Sequence, residues 1–193
     1  CSVCTHARYG WCFCVKQGWD NAGMHPNALL EACTELVRLT LKFDHPADAV
    51  VSKFFRDYRK TYAFGPRERA TFDETTYNVL RNKLRYDHLA PSGSGSKERR
   101  LAILGFAYYL QNSDKKFLFG ALNKQEAAWL EACSKVQTSE LMERHRHNLP
   151  EWLVAPLKAQ VGDGFWPLVA QLNASAPLDL RVNTFTAVSY THL

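Results

Sequence analysis

At 193 residues the chain has room for one domain, or for one domain and part of a second. Its 46% hydrophobic and 22% charged residues are ordinary for a folded protein and argue against global disorder. No apolar run approaches the ~20 residues that span a bilayer, and the N-terminus lacks the layout of a secretory signal, so a cytoplasmic protein without a membrane partner is expected. The net charge of +5 is concentrated: 12 Lys and Arg against 6 Asp and Glu fall between Lys53 and Arg100, while the remainder is net −1. Such a basic stretch suits a polyanion such as RNA, and it equally suits a solvated helix face.

The first 23 residues hold four of the six cysteines, Cys1, Cys4, Cys12 and Cys14, with His6 among them. Thiolate and imidazole are the ligands zinc prefers, but Cys-x-Cys is a poor chelate and no second pair follows at finger spacing. The segment has neither helical period nor strand alternation, and the first Met is Met24. Residues 1–23 are therefore read as a non-native or disordered leader, ahead of a zinc site or disulfides. From Met24 onward helix follows helix. In "HPNALLEACTELVRLTLKF", Pro26 suits a first helical position, and Leu29, Leu30, Cys33, Leu36, Val37 and Leu41 form one stripe. "HPADAVVSKFFRDYR" repeats the device behind Pro46, with Ala47, Val50, Val51, Phe54, Phe55 and Tyr58 on one side.

A third helix is expected from Gly65-Pro66 to about Leu89, burying Ala70, Tyr77, Leu80 and Leu84 and presenting Arg67, Glu74, Asn78, Arg81 and Arg85 on the opposite side. "APSGSGS" reads as a flexible loop, with Ser96 able to cap "KERRLAILGFAYYL". Asn123 and Glu126 have capping-box spacing before "KQEAAWLEACSKV". "LMERHRHN" reads as a linker or irregular turn, and two short, proline-interrupted helices follow it. Leu178 to Val182 then alternates apolar and polar residues, the period of a half-buried strand.

No catalytic constellation survives scrutiny. Gly93-Ser94-Gly95 follows a helix and lacks a third glycine, so it fails as a nucleotide loop. His145 and His147 stand two apart, on different sides of a helix, with no carboxylate at ligand spacing. Cys33 and Cys133 sit on amphipathic helices as core cysteines. What remains is basic: Arg81 and Arg85 one turn apart, then Lys97, Arg99 and Arg100 after a loop. Arginine forks bind phosphate, although Glu68, Asp73 and Asp87 are available to absorb some of this charge in tertiary ion pairs.

Two strings carry a family likeness, "GPRERATFDETTYNVLRNKLRYDHLA" and "RHNLPEWLVAPLKAQVGDGFWPLVAQLNASAPLDLRVNT". Together they resemble the N-terminal part of bacterial RsmB (Sun/Fmu) RNA cytosine-C5 methyltransferases of the Nop/Sun family, over roughly Met24 to Thr184. The first string alone also resembles stand-alone NusB-like RNA-binding domains of the antitermination type. The likeness implies a NusB-like helical domain, then a small domain opening with the "LRVNT" strand. That small domain supports a Rossmann-like domain binding S-adenosylmethionine. In the family one cysteine attacks C6 of a cytosine in ribosomal RNA and a second assists product release. The family's cofactor loop and motif cysteines belong C-terminal to the strand. Ala132-Cys133-Ser134 precedes it and cannot take their place, so no catalytic, cofactor or metal residue is assigned.

The expectation is a mainly α chain: leader 1–23, NusB-like bundle 24–136, helical linker 137–176, and the start of an incomplete α+β domain at 177–193. Its last residues, 187–193, depart from the family pattern and read as artefactual. "KTYAF" (Lys60 to Phe64) exceeds the family's usual turn and is expected to loosen the approach to the third helix. The chain would be the RNA-binding or scaffold portion of a methyltransferase whose catalytic domain lies elsewhere, and a monomer whose partners are ribosomal RNA and that domain. The alternative is a stand-alone NusB-like RNA-binding module. Candidate RNA contacts are Arg67, Arg81, Arg85, Lys97, Arg99, Arg100 and Arg181.

Overall fold

Pro26, whose fixed φ is ready-made for a first turn, opens helix α1 (Pro26–Thr40) in the computed structural model of the chain, which describes residues 24–62, 64–109 and 115–174. The leader 1–23, the expected strand 178–182 with Arg181, and the tail 187–193 lie outside the described residues. Every regular element within them is a helix. The α1 stripe is buried as its period requires, with Leu29, Leu30, Cys33, Leu36 and Val37 in the core and Leu41 packed against it. Helix α2 (Ala47–Tyr58) buries Val51 and Phe54.

The connection after α2 is pinned rather than loosened. Phe64 lies 5.2 Å from Phe55 and 5.3 Å from Phe72 between ring centroids, and Tyr62 stacks on Tyr58. The additional residues of "KTYAF" thus supply aromatic anchors, and ring–ring contacts of this kind hold a loop to the core.

Helix α3 (Pro66–Arg81) buries a different face from the one its apolar residues suggest. Thr71, Phe72, Thr75, Thr76 and Val79 point inward with Glu68, while Ala70 is exposed and Tyr77, Leu80 and Leu84 are only half-buried. The cause is close approach by α5 (Lys97–Tyr109). A Cβ on Gly105 of α5 would stand 2.6 Å from Val79 Cγ2 and 2.8 Å from the Thr75 carbonyl oxygen. Short β-branched side chains fit a crossing that tight; long apolar ones would hold it open. The expected single helix to Leu89 breaks at Asn82, where φ −106° and ψ 21° leave helical geometry, and resumes as α4 (Lys83–Leu89).

Helix α5 is the centre of the bundle, packed against both α1 and α3. Leu101, Ala102, Ile103, Leu104 and Phe106 are all buried, so the helix is apolar nearly all round, as a central helix must be. Ser96 Oγ accepts from Arg99 N at 3.2 Å at its start. Helices α6 (Lys115–Ala121) and α7 (Lys124–Lys135) complete the bundle. The α7 capping box closes in both directions, from Glu126 N to Asn123 Oδ1 at 2.8 Å and from Asn123 N to Glu126 Oε2 at 2.9 Å.

"LMERHRHN" is not an irregular linker. It contains a short helix α8 (Glu143–His147), ended by Asn148 in the left-handed conformation at φ 53°. Helices α9 (Glu151–Val161) and α10 (Phe165–Asn173) follow, with Pro156 inside α9. A second, smaller core of Leu149, Val154, Phe165 and Val169 belongs to these last helices. None of the helices among the described residues is long and apolar enough to cross a membrane.

Candidate nucleic-acid interface

The basic stretch divides into side chains that hold the fold together and side chains that line a groove. Among the first, Lys83 and Lys97 both approach Asp87, at 2.6 and 2.8 Å. Burial alone would raise the Asp87 carboxyl, but the two ammonium groups outweigh it and hold the carboxyl below its ordinary range. Arg99 closes its guanidinium on Glu126 with Nε–Oε1 at 2.5 Å and Nη2–Oε2 at 3.2 Å. The Glu126 side chain is 3% exposed. Its pKa is pushed up by burial and pulled further down by Arg99 and the Asn123 N–H.

Arg100 donates from Nη1 to the Gly93 carbonyl at 2.6 Å. Gly93 is wedged: a Cβ there would lie 2.7 Å from the Trp129 ring and 2.9 Å from Arg100 Cδ. Trp129 Nε1 in turn donates to Ser92 Oγ at 2.9 Å. The loop read as flexible is therefore anchored at Ser92 and Gly93 between α5 and α7, while Ser94, Gly95 and Ser96 are exposed. Arg67 stands half-exposed at the start of α3, apart from both groups, and makes an interaction of its own.

The groove lies at the seam between the bundle and the last helices. Its volume is about 740 Å³, and one wall is α3–α4 with Glu74, Arg81 and Arg85. The other wall is α8 and α10, with His145, Arg146 and Trp166. Arg81 and Arg85 both line the groove although the helix breaks between them, and i→i−4 bonds continue on either side of the break, from Asn82 N to Asn78 O at 3.0 Å and from Tyr86 N to Asn82 O at 2.9 Å. Among the described residues none of Arg81, Arg85 and Arg146 has a carboxylate within ion-pair distance.

Asparagines fasten the two walls. Asn148 Oδ1 accepts from Leu84 N at 2.9 Å, satisfying an early N–H of α4 from 64 residues away. Asn173 Nδ2 donates to the His147 carbonyl at 3.0 Å. Asn78 Oδ1 receives both Asn82 Nδ2 and the Tyr86 hydroxyl, each at 2.8 Å. His145 stacks on His88 of α4 at 4.2 Å between ring centroids, and Arg146 places its guanidinium carbon 4.4 Å from the Trp166 ring centroid.

Both buried imidazoles are kept neutral. Burial lowers His145, and the neighbouring His88, Arg144 and His147 lower it further. Burial also lowers His147, whose Nδ1 accepts from Leu149 N at 3.0 Å and so carries no proton. The two rings serve separate contacts, His145 stacking on His88 and His147 accepting from Leu149 N. Burial pushes the Cys33 and Cys133 thiols up, which keeps them protonated and poor nucleophiles.

Reasoning on the sequence missed Arg146, Trp166 and Asn148. One signal for Asn148 stands in "RHNLP": Asn at a helix C-terminus with Pro two residues later is a stop signal, which implies a helix before it. No family model, no curated protein and no solved structure matches the chain.

Proposed function

We propose that these residues are the RNA-binding and scaffold portion of an S-adenosylmethionine-dependent ribosomal RNA cytosine-C5 methyltransferase of the RsmB type, built on a NusB-like bundle and working in the cytoplasm. The sequence likeness over Met24 to Thr184 supplies the family, and one structural observation supports the role. That observation is the seam groove, where Arg81, Arg85 and Arg146 converge without carboxylate partners. Guanidinium forks left unneutralised beside one another are suited to phosphate.

The groove does not fit the family's cofactor. S-adenosylmethionine carries a sulfonium cation, which three arginines repel, and no strand-to-glycine-loop turn lies among the described residues. Cofactor binding and methyl transfer would belong to a catalytic domain outside these helices. A stand-alone RNA-binding module is the rival reading. The stretch from Leu149 to Thr184 favours the larger enzyme, because a stand-alone module has no need of it.

The test is fluorescence anisotropy with a labelled fragment of ribosomal RNA between about 50 and about 200 mM salt, a range over which phosphate-driven binding weakens steeply. Affinity should fall linearly on logarithmic axes with a slope of about −0.7 to −0.9 per phosphate contacted. Titration calorimetry with S-adenosylmethionine should show no heat of binding. Salt-insensitive or absent RNA binding, or clear uptake of the cofactor by this chain, overturns the reading.

A further inference from the structure

We propose that the seam groove takes RNA as a single strand, with a phosphate on Arg81 and Arg85 and an unpaired base stacked against the Arg146–Trp166 pair. The inference rests on the RNA-binding reading above and adds where the strand sits and in what form.

Three observations carry it. The first is size. About 740 Å³ falls within the range of pockets that enclose small molecules, ~300–1,000 Å³, and helices form both walls. Such a cleft admits nucleotides one at a time; a duplex asks for a broad surface that reaches phosphates across a groove. The second is the chemistry of the walls. Arg81 and Arg85 offer planar forks on one side, while Trp166, 38% exposed, and the guanidinium over its ring offer a stacking platform on the other. Phosphate forks facing aromatic and guanidinium planes are the two components of single-strand recognition.

The third observation is unmet hydrogen bonding. Arg85 Nε and His145 Nδ1 both belong to groove-lining residues, and both are buried without a hydrogen-bond partner. Leaving such groups unpaired is costly, and a turn of either side chain toward the groove would bring its nitrogen to a polar ligand there. Glu74, the single carboxylate of the lining, repels phosphate from its own end and can accept from an exocyclic amino group of a base.

The experiment compares a fluorescein-labelled single-stranded RNA decamer with the blunt duplex it forms with its complement, using the 193-residue chain. The single strand should bind at least about fivefold more tightly than the duplex. Arg81→Ala with Arg85→Ala should weaken single-strand binding about tenfold and reduce the salt slope by roughly one, the share of one phosphate. Arg146→Lys keeps the charge but removes the plane, so it should weaken binding about fivefold at unchanged slope. In a second measurement, a 5-iodouracil-substituted decamer irradiated on the unaltered protein should crosslink to the peptide that contains Trp166.

Thermal unfolding followed by circular dichroism separates a folding defect from a binding defect, and the crosslink requires no variant. Salt-dependent RNA binding that ignores all three substitutions, prefers the duplex, or crosslinks elsewhere overturns the groove assignment and leaves the RNA-binding reading standing. Failure of the unaltered chain to bind either RNA overturns both.

Discussion

Arg81 and Arg99 have the same side chain and the same formal charge, and their surroundings give them opposite duties. Glu126 is almost fully buried and already accepts from its own helix N-terminus, so removing the Arg99 guanidinium strands a carboxylate in the fold. Breaking a buried pair from one side costs far more than losing an exposed one. Arg99→Ala should therefore lower stability by about 3 kcal/mol, read as a shift of the urea midpoint. Arg81 lacks such a partner and is exposed, so Arg81→Ala should change stability by less than ~0.5 kcal/mol. Equal midpoints for the two variants would show that the Arg99–Glu126 pair contributes nothing net.

Packing between elements depends on absent atoms as much as on present ones. At the crossing of α3 and α5 a Cβ on Gly105 would meet Val79 Cγ2 at 2.6 Å and, at 2.8 Å, the Thr75 carbonyl, which is backbone and cannot rotate aside. Gly105→Ala must push the helices apart, and overpacking of this kind costs about 1–3 kcal/mol. The measurement is a chemical-denaturation midpoint, and a midpoint at or above that of the unaltered protein would mean the crossing has slack.

The same crossing explains what was legible beforehand. Helix α1 could be read because Leu29, Cys33, Leu36 and Val37 repeat at helical period and the fold buries that repeat. The inward face of α3 could not, because Glu68, Thr71, Thr75 and Thr76 look like a solvent face until a glycine on another helix is brought against them. Ion pairs divide in the same way. Lys83–Asp87 is an i,i+4 pair visible along one helix, whereas Arg99–Glu126 joins residues 27 apart and depends on the tertiary fold. Arg81 and Arg85 were legible as a pair; Arg146 and Trp166 were not, because the stop signal in "RHNLP" implies a helix but does not show that it packs by its histidines.

At the scale of the whole molecule, two apolar cores meet across a polar seam. The larger is sealed by long aliphatic and aromatic side chains and buries no histidine, so its acid sensitivity rests on the depressed carboxyls of Glu126 and Asp87, which titrate below the histidine range. The seam is held by Asn148 and the His88–His145 stack, and there protonation matters. His145 and His147 are buried with their pKa values below the ordinary histidine value. No carboxylate is among the groups that shift His145; it meets His88 from α4 and Arg144 and His147 from its own helix. Glu143 and Glu151 partly offset the effect at His147.

The sign follows from linkage. A histidine whose folded pKa is depressed binds fewer protons folded than unfolded. Stability is therefore fully present above the unfolded value of about 6.5 and falls as pH drops from there toward the depressed folded value. The seam should weaken first, because both imidazoles lie there while the larger core has none. Trp166 sits at that seam, so in a chain whose other four tryptophans are replaced by Phe its fluorescence in urea should show an earlier transition at pH 5.5 than at pH 7.5, both chosen to bracket ~6.5. His145→Phe retains a ring against His88 and removes the titration. It should flatten most of this pH dependence while leaving the midpoint at the higher pH within ~1 kcal/mol. A pH profile unchanged by that substitution would assign the effect to His147 or to the carboxylates of the bundle, and the seam would then not be where acid first acts.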